Sequence, residues 1–103
     1  YAPELKGALF CVWVNPPYGR GITGKWVRRA YEQIYGRTDD DRPSIIVMLL
    51  PARTDTSYFH DYIYHQPNVE VRFIRGRLKF VGAKDPAPFP SMLVIMRRAD
   101  DAA

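Results

Sequence analysis

Four consecutive residues have the types and order to do chemistry: Asn15-Pro16-Pro17-Tyr18. Proline has no N–H and a fixed φ, and a following proline pushes the residue before it toward extended backbone. The Pro16 carbonyl is therefore expected to hold one direction, with no donor competing beside it. The Asn15 side chain offers a second acceptor oxygen. Tyr18 offers a flat ring on which a planar group can stack. Two fixed acceptors match the two hydrogens of an exocyclic aromatic or amide NH₂, whose delocalised lone pair makes it a poor nucleophile. Drawing those hydrogens out of plane favours a pyramidal nitrogen with its lone pair aimed at an electrophile. That is catalysis by position and electrostatics, without a strong base. A plain strand-ending turn also uses Asn and Pro. The full tetrapeptide, between a buried strand and a Gly-rich loop opening a helix, favours the chemical reading.

The elements that must position these residues follow from hydrophobic patterning. Leu9-Phe10-Cys11-Val12-Trp13-Val14, Ile45-Ile46-Val47-Met48-Leu49-Leu50 and Met92-Leu93-Val94-Ile95-Met96 are short, nearly unbroken apolar runs. They read as strands covered on both faces, with Cys11 as an inert core thiol. Val69 to Ile74 alternates with Glu70 and Arg72 and reads as a strand nearer an edge. A helix is expected from Thr23 to Tyr35, with Trp26, Val27, Ala30, Tyr31 and Ile34 on one face, Thr23 as its cap and Gly36 at its end. A second is expected from Asp55 or Thr56 to His65, capped by Asp55, burying Phe59, Tyr62 and Ile63 and stopped by Pro67. Strand–helix alternation implies an α/β fold whose sheet is mostly parallel, with an antiparallel last strand and helices on both faces. Gly76 to Val81 is expected to form a small extra strand or hairpin arm. Asn15 and Arg53 then fall at the same sheet edge, at the carboxyl ends of strands, where open α/β sheets bind ligands.

The chain has 103 residues, one cysteine, two histidines and a net charge of +4. That is one small domain without a disulfide framework, and a zinc cluster is not expected. No apolar run is long enough to span a bilayer. The basic excess favours a polyanion weakly. Tyr1 is not a start methionine, so the chain reads as processed or as part of something longer.

The wider pattern resembles the phage-type DNA N6-adenine methyltransferases. Val14 to Arg20, Leu50 to Thr56, Phe73-Ile74-Arg75-Gly76-Arg77-Leu78-Lys79-Phe80 and Ala87 to Val94 match in order and spacing, so the resemblance covers nearly the whole chain. It implies a partial Rossmann-like methyltransferase sheet, with residues 1–103 as a single catalytic portion. It also implies methyl transfer from S-adenosylmethionine to adenine N6 in double-stranded DNA, with the base flipped out. By match of position, Asn15 and Pro16 hold the amine and Tyr18 stacks on the base. Phe80 is the candidate for the base's other face; covering the core together with Leu78 is its alternative role. The implied setting is the cytoplasm of a bacterial or phage-infected cell.

The family's donor site needs a strand ending in a glycine turn, and an acidic residue for the ribose. No such strand and glycine turn precedes Asn15. The chain thus reads as the target-base half, completed by a missing N-terminal half or by a homodimer across the first strand's edge. Gly19-Arg20-Gly21-Ile22-Thr23-Gly24 fits a dinucleotide loop in form, but the tetrapeptide stands between it and the strand. It reads as a connection beside the pocket, where Arg20 can touch a phosphate. Arg53 can shape the same pocket. Arg75, Arg77 and Lys79 are candidates for DNA-backbone contacts, or else a solvated face. The same tetrapeptide also serves methyltransferases of ribosomal-RNA guanine or protein glutamine. An inactive nucleic-acid-binding module is the non-enzymatic alternative.

Overall fold

The computed structural model describes residues 10–98. Six elements follow in order: β1 (Cys11–Val14), α1 (Ile22–Tyr35), β2 (Ile45–Pro51), α2 (Ser57–Tyr62), β3 (Val69–Phe73) and β4 (Ser91–Arg97). They form an α/β domain with one mixed sheet in the order β1-β2-β4-β3. β1 pairs parallel to β2, whereas β4 pairs antiparallel to both β2 and β3. Three strands therefore run one way and the last runs against them, as the pattern implied. Because β4 inserts between β2 and β3, two of the three neighbouring pairs are antiparallel. The sheet is mixed rather than mostly parallel in its pairing.

The consequence for function is geometric. The carboxyl ends of β1, β2 and β3 and the start of β4 share one sheet edge. Val14 lies opposite Met48, Pro51 opposite Ser91, and Phe73 opposite Met92. Asn15, Arg53, Ile74 and Pro90 all leave the sheet there.

The core sits between one sheet face and both helices. Ile46, Met48 and Leu50 of β2 and Met92, Val94 and Met96 of β4 pack with Val27, Ala30 and Ile34 of α1 and Phe59 and Ile63 nearby on α2 or just after it. Period-2 alternation sends the other residues of each strand to the second face. Among the described residues no helix covers that face, so the expectation of helices on both faces is not met there. It also corrects the reading of β1. Trp13 is 61% exposed and Cys11 is exposed, so Cys11 is not a core thiol. β1 is an edge strand whose odd residues face the uncovered side, and continuous hydrophobicity does not reveal that. Leu9 lies outside the described residues.

Local details shift too. α1 begins at Ile22, with Gly21 at its N-cap at φ 78°, a left-handed conformation that suits glycine. Thr23 is buried and does not cap. Gly36 ends the helix as expected, and a Cβ there would stand 2.7 Å from the Glu32 carbonyl oxygen. α2 is only six residues long, with Thr56 rather than Asp55 at its N-cap. The Thr56 hydroxyl donates to the Arg53 carbonyl at 2.8 Å and so ties the turn from the edge back to the helix. Gly76 to Val81 forms no strand; it belongs to a looped arm.

Tyr35 fastens the end of α1 to the sheet. Its hydroxyl lies 2.7 Å from the Arg97 carbonyl and 3.3 Å from that of Asn68, and it donates its one proton mainly to the nearer. Burial pushes its ionisation up to about 12. Tyr35→Phe is expected to lower unfolding free energy by about 1 kcal/mol at pH 8. A folded value raised above the ordinary 10 gives a contribution complete below pH 10 and lost as pH rises toward 12. The gap between wild type and variant should accordingly narrow over that window. Urea unfolding at pH 8 and pH 11 checks this, and equal stability at pH 8 refutes the tie.

Candidate active site

The backbone leaves β1 at Asn15, whose side chain is exposed, and Pro16 is buried behind it. Among the described residues nothing donates a hydrogen bond to the Pro16 carbonyl. The chain then turns so that the Tyr18 hydroxyl reaches the end of β2. It stands 3.0 Å from the Leu49 carbonyl and 3.3 Å from Asn15 Oδ1. Burial, and secondarily the nearby Tyr58, raise the Tyr18 ionisation above its usual value, so the hydroxyl remains a donor at neutral pH. Asn15 is therefore not turned inward onto backbone. Among the described residues its side chain's hydrogen-bond partner is the tyrosine of its own motif.

The Tyr18 ring meets Phe89 edge-on, with centroids 5.3 Å apart and planes at 78°. The Arg53 guanidinium lies 5.6 Å from the Phe89 centroid, within cation–π range. Three sheet-edge segments thus converge: the turn after β1, the turn after β2 and the residues entering β4.

Beside Tyr18 opens a cleft of about 740 Å³, with the Gly19–Gly21 turn and the first turn of α1 on one side and α2 on the other. Arg20, Lys25, Arg28 and Arg53 line it, with Asp61 as its one carboxylate, and Tyr58 and Tyr62 give it aromatic walls. The first turn of α1 comes close to α2: a Cβ at Gly24 would lie 3.5 Å from the Tyr58 ring.

The structure brings together Asn15, Pro16, Pro17 and Tyr18 with Arg20 and Arg53. Phe80 is not among the rings that meet Tyr18 in the described residues; Phe89 is. Phe80, Arg75, Arg77 and Lys79 stand exposed on the arm between β3 and β4. Phe89 was missed because Pro88-Phe89-Pro90 reads as plain loop. The available signal was an aromatic boxed between prolines two residues before a strand that starts at the site. No described helix is long and apolar enough to cross a membrane.

Fold and corner together define the class: an α/β protein with an Asn-Pro-Pro-Tyr turn at the carboxyl edge of its parallel strands, flanked by a basic cleft. The chain belongs to the DNA N-6-adenine-methyltransferase (Dam) family, whose model matches residues 7–102. Neither the curated proteins nor the solved structures give a match.

Proposed function

We propose that this chain holds the N6 amine of an adenine, flipped out of double-stranded DNA, for methylation. The observation that carries the reading is the exposed Asn15 beside a Pro16 carbonyl to which no described residue donates, in a chain of this family. The two acceptors take the amine hydrogens, Pro17 holds the turn, and Tyr18 stacks on the base. The hydroxyl of Tyr18 has one proton, and Leu49 is its nearer acceptor. The Asn15 amide then satisfies Tyr18 best with its NH₂ end toward the hydroxyl oxygen, leaving Oδ1 outward for the substrate. Phe89 edges the Tyr18 ring where a base would lie, so it must swing aside to admit one and can then line its rim.

The methyl donor usual for such enzymes is S-adenosylmethionine. The cleft beside Tyr18 does not fit it: four cations against one carboxylate disfavour a cationic sulfonium. No described residue is assigned to the donor, and the Rossmann-like donor half, supplied by further chain or by a second copy, belongs to this proposal. The same positive charge suits DNA phosphates.

The test is a labelled-donor assay on adenine-containing duplex DNA, with this chain alone and with any longer parent. Label recovered as N6-methyladenine is the expected result. Label on guanine or glutamine overturns the reading. Retention of DNA with no turnover by either protein favours the binding-module alternative, for which the basic cleft is the supporting observation. Binding is expected to fall steeply with salt. Arg77→Ala should lessen the slope of log affinity against log salt by about one. An unchanged slope takes Arg77 off the DNA backbone.

A further inference from the structure

Between β3 and β4 the chain throws out an arm, residues 74–90, from the sheet edge that carries Asn15. Its two limbs are tied to each other at the root by one backbone hydrogen bond, and Phe89 rests against the site until a base enters. Ile74 donates its N–H to the Ser91 carbonyl at 3.0 Å, and Phe89 meets the Tyr18 ring. A neck follows where the Ala87 N–H reaches the Leu78 carbonyl at 2.7 Å. Beyond it the tip turns on itself. The Ala83 N–H donates to the Phe80 carbonyl at 2.9 Å, and Gly82 takes φ 84°, open to glycine at little cost. The tip is a built turn, and it presents Val81 wholly exposed and Phe80 more than a third exposed. Lys79 and Lys84 flank it in the chain, Arg75 and Arg77 lie on the limb that leads to it, and Asp85 is the one acidic residue of the arm.

An isolated exposed apolar residue is ordinary. Two of them at the end of a turned arm that carries four cations and one carboxylate and is rooted in the site are a different arrangement. The charge selects a polyanion, whereas an arm made only to hold phosphates gains nothing from Val81 at its tip. Extruding a base costs a few kcal/mol in lost stacking and pairing. Apolar side chains that enter a base step recover part of such a cost. We infer that Phe80-Val81 is a wedge that enters the stack of duplex DNA beside the extruded adenine, while Arg75, Arg77, Lys79 and Lys84 grip the flanking phosphates. The seven steps from Ile74 to Val81 span at most about 25 Å, so the wedge acts on the stretch of duplex within that distance of the edge that carries Tyr18. The inference rests on the proposed function and adds to it the element that opens the duplex.

The experiment compares Val81→Ser, Val81→Leu and the double variant Phe80→Ser, Val81→Ser with wild type. Each full chain is titrated against a duplex that it methylates, and against the same duplex with an abasic site opposite the target adenine. Where DNA is retained without turnover, the retained duplex serves by binding alone. The substituted positions are exposed, and thermal unfolding of each variant confirms that it folds. The double variant is expected to lose about tenfold in affinity for the intact duplex and less than twofold for the pre-opened one. Val81→Ser should show a smaller loss of the same kind, and Val81→Leu should match wild type. Fluorescence of 2-aminopurine placed at the target should rise with wild type and not with the double variant. Equal losses on both duplexes, or none on either, overturn the wedge while leaving methylation standing. Failure of wild type to methylate or retain any duplex overturns the proposed function, and the wedge with it.

Discussion

Asn15→Ala is expected to lower the rate constant for methyl transfer by about 10²–10³-fold, the range seen when one preorganised polar partner of a transition state is removed. DNA affinity should stay within about twofold, because the acceptor matters most once the amine is drawn out of plane. Stability should change by less than about 0.5 kcal/mol. Asn15 is exposed, and the hydrogen bond lost is a 3.3 Å contact with Tyr18. Asn15→Asp keeps an acceptor at the same reach and should retain most of the rate. Single-turnover kinetics at saturating DNA separates these outcomes. If the alanine variant turns over within threefold of wild type, the amine is not held by Asn15 and the tetrapeptide is only a turn.

The sequence made the position of this residue legible more readily than its surroundings. The β2 and β4 runs read as central strands because neighbours on both sides and a helix layer bury them, and composition records that. The β1 run looks the same in composition and behaves differently. Its place at the sheet edge depends on which strands pair, and pairing is a long-range property that a six-residue window does not carry. Trp13 and Cys11 were misplaced for that reason. Thr56 took the cap expected of Asp55 because the chain leaving β2 turns back through the Arg53 carbonyl, a contact made only after the edge is formed. Phe89 escaped notice for the opposite reason. Its neighbours are prolines, its local pattern is loop, and only the antiparallel insertion of β4 beside β2 brings it to Tyr18.

Tyr18 tests the other half of the site, because its ring and its hydroxyl do separable work. The ring is the surface for the base, and stacking of one base on an aromatic contributes about 1–3 kcal/mol. Tyr18→Ala is therefore expected to weaken binding of a duplex with a pre-opened target by about 10–100-fold. The hydroxyl instead joins the turn to β2 through Leu49 and orients Asn15. Tyr18→Phe should keep the base affinity within about threefold while lowering unfolding free energy by about 1 kcal/mol, since the Leu49 carbonyl loses its donor. It should also slow methyl transfer modestly, because an unheld Asn15 amide spends part of its time turned away. Raised ionisation keeps the Tyr18 hydroxyl protonated throughout the neutral range, so its share of stability is complete below the ordinary value of 10 and is lost only at more alkaline pH. Titration of 2-aminopurine duplexes beside urea unfolding gives both readouts from the same three proteins. If alanine and phenylalanine weaken base binding equally, the ring is not the stacking surface. The edge-on contact with Phe89 would then be the resting core of a closed corner, one that no base enters.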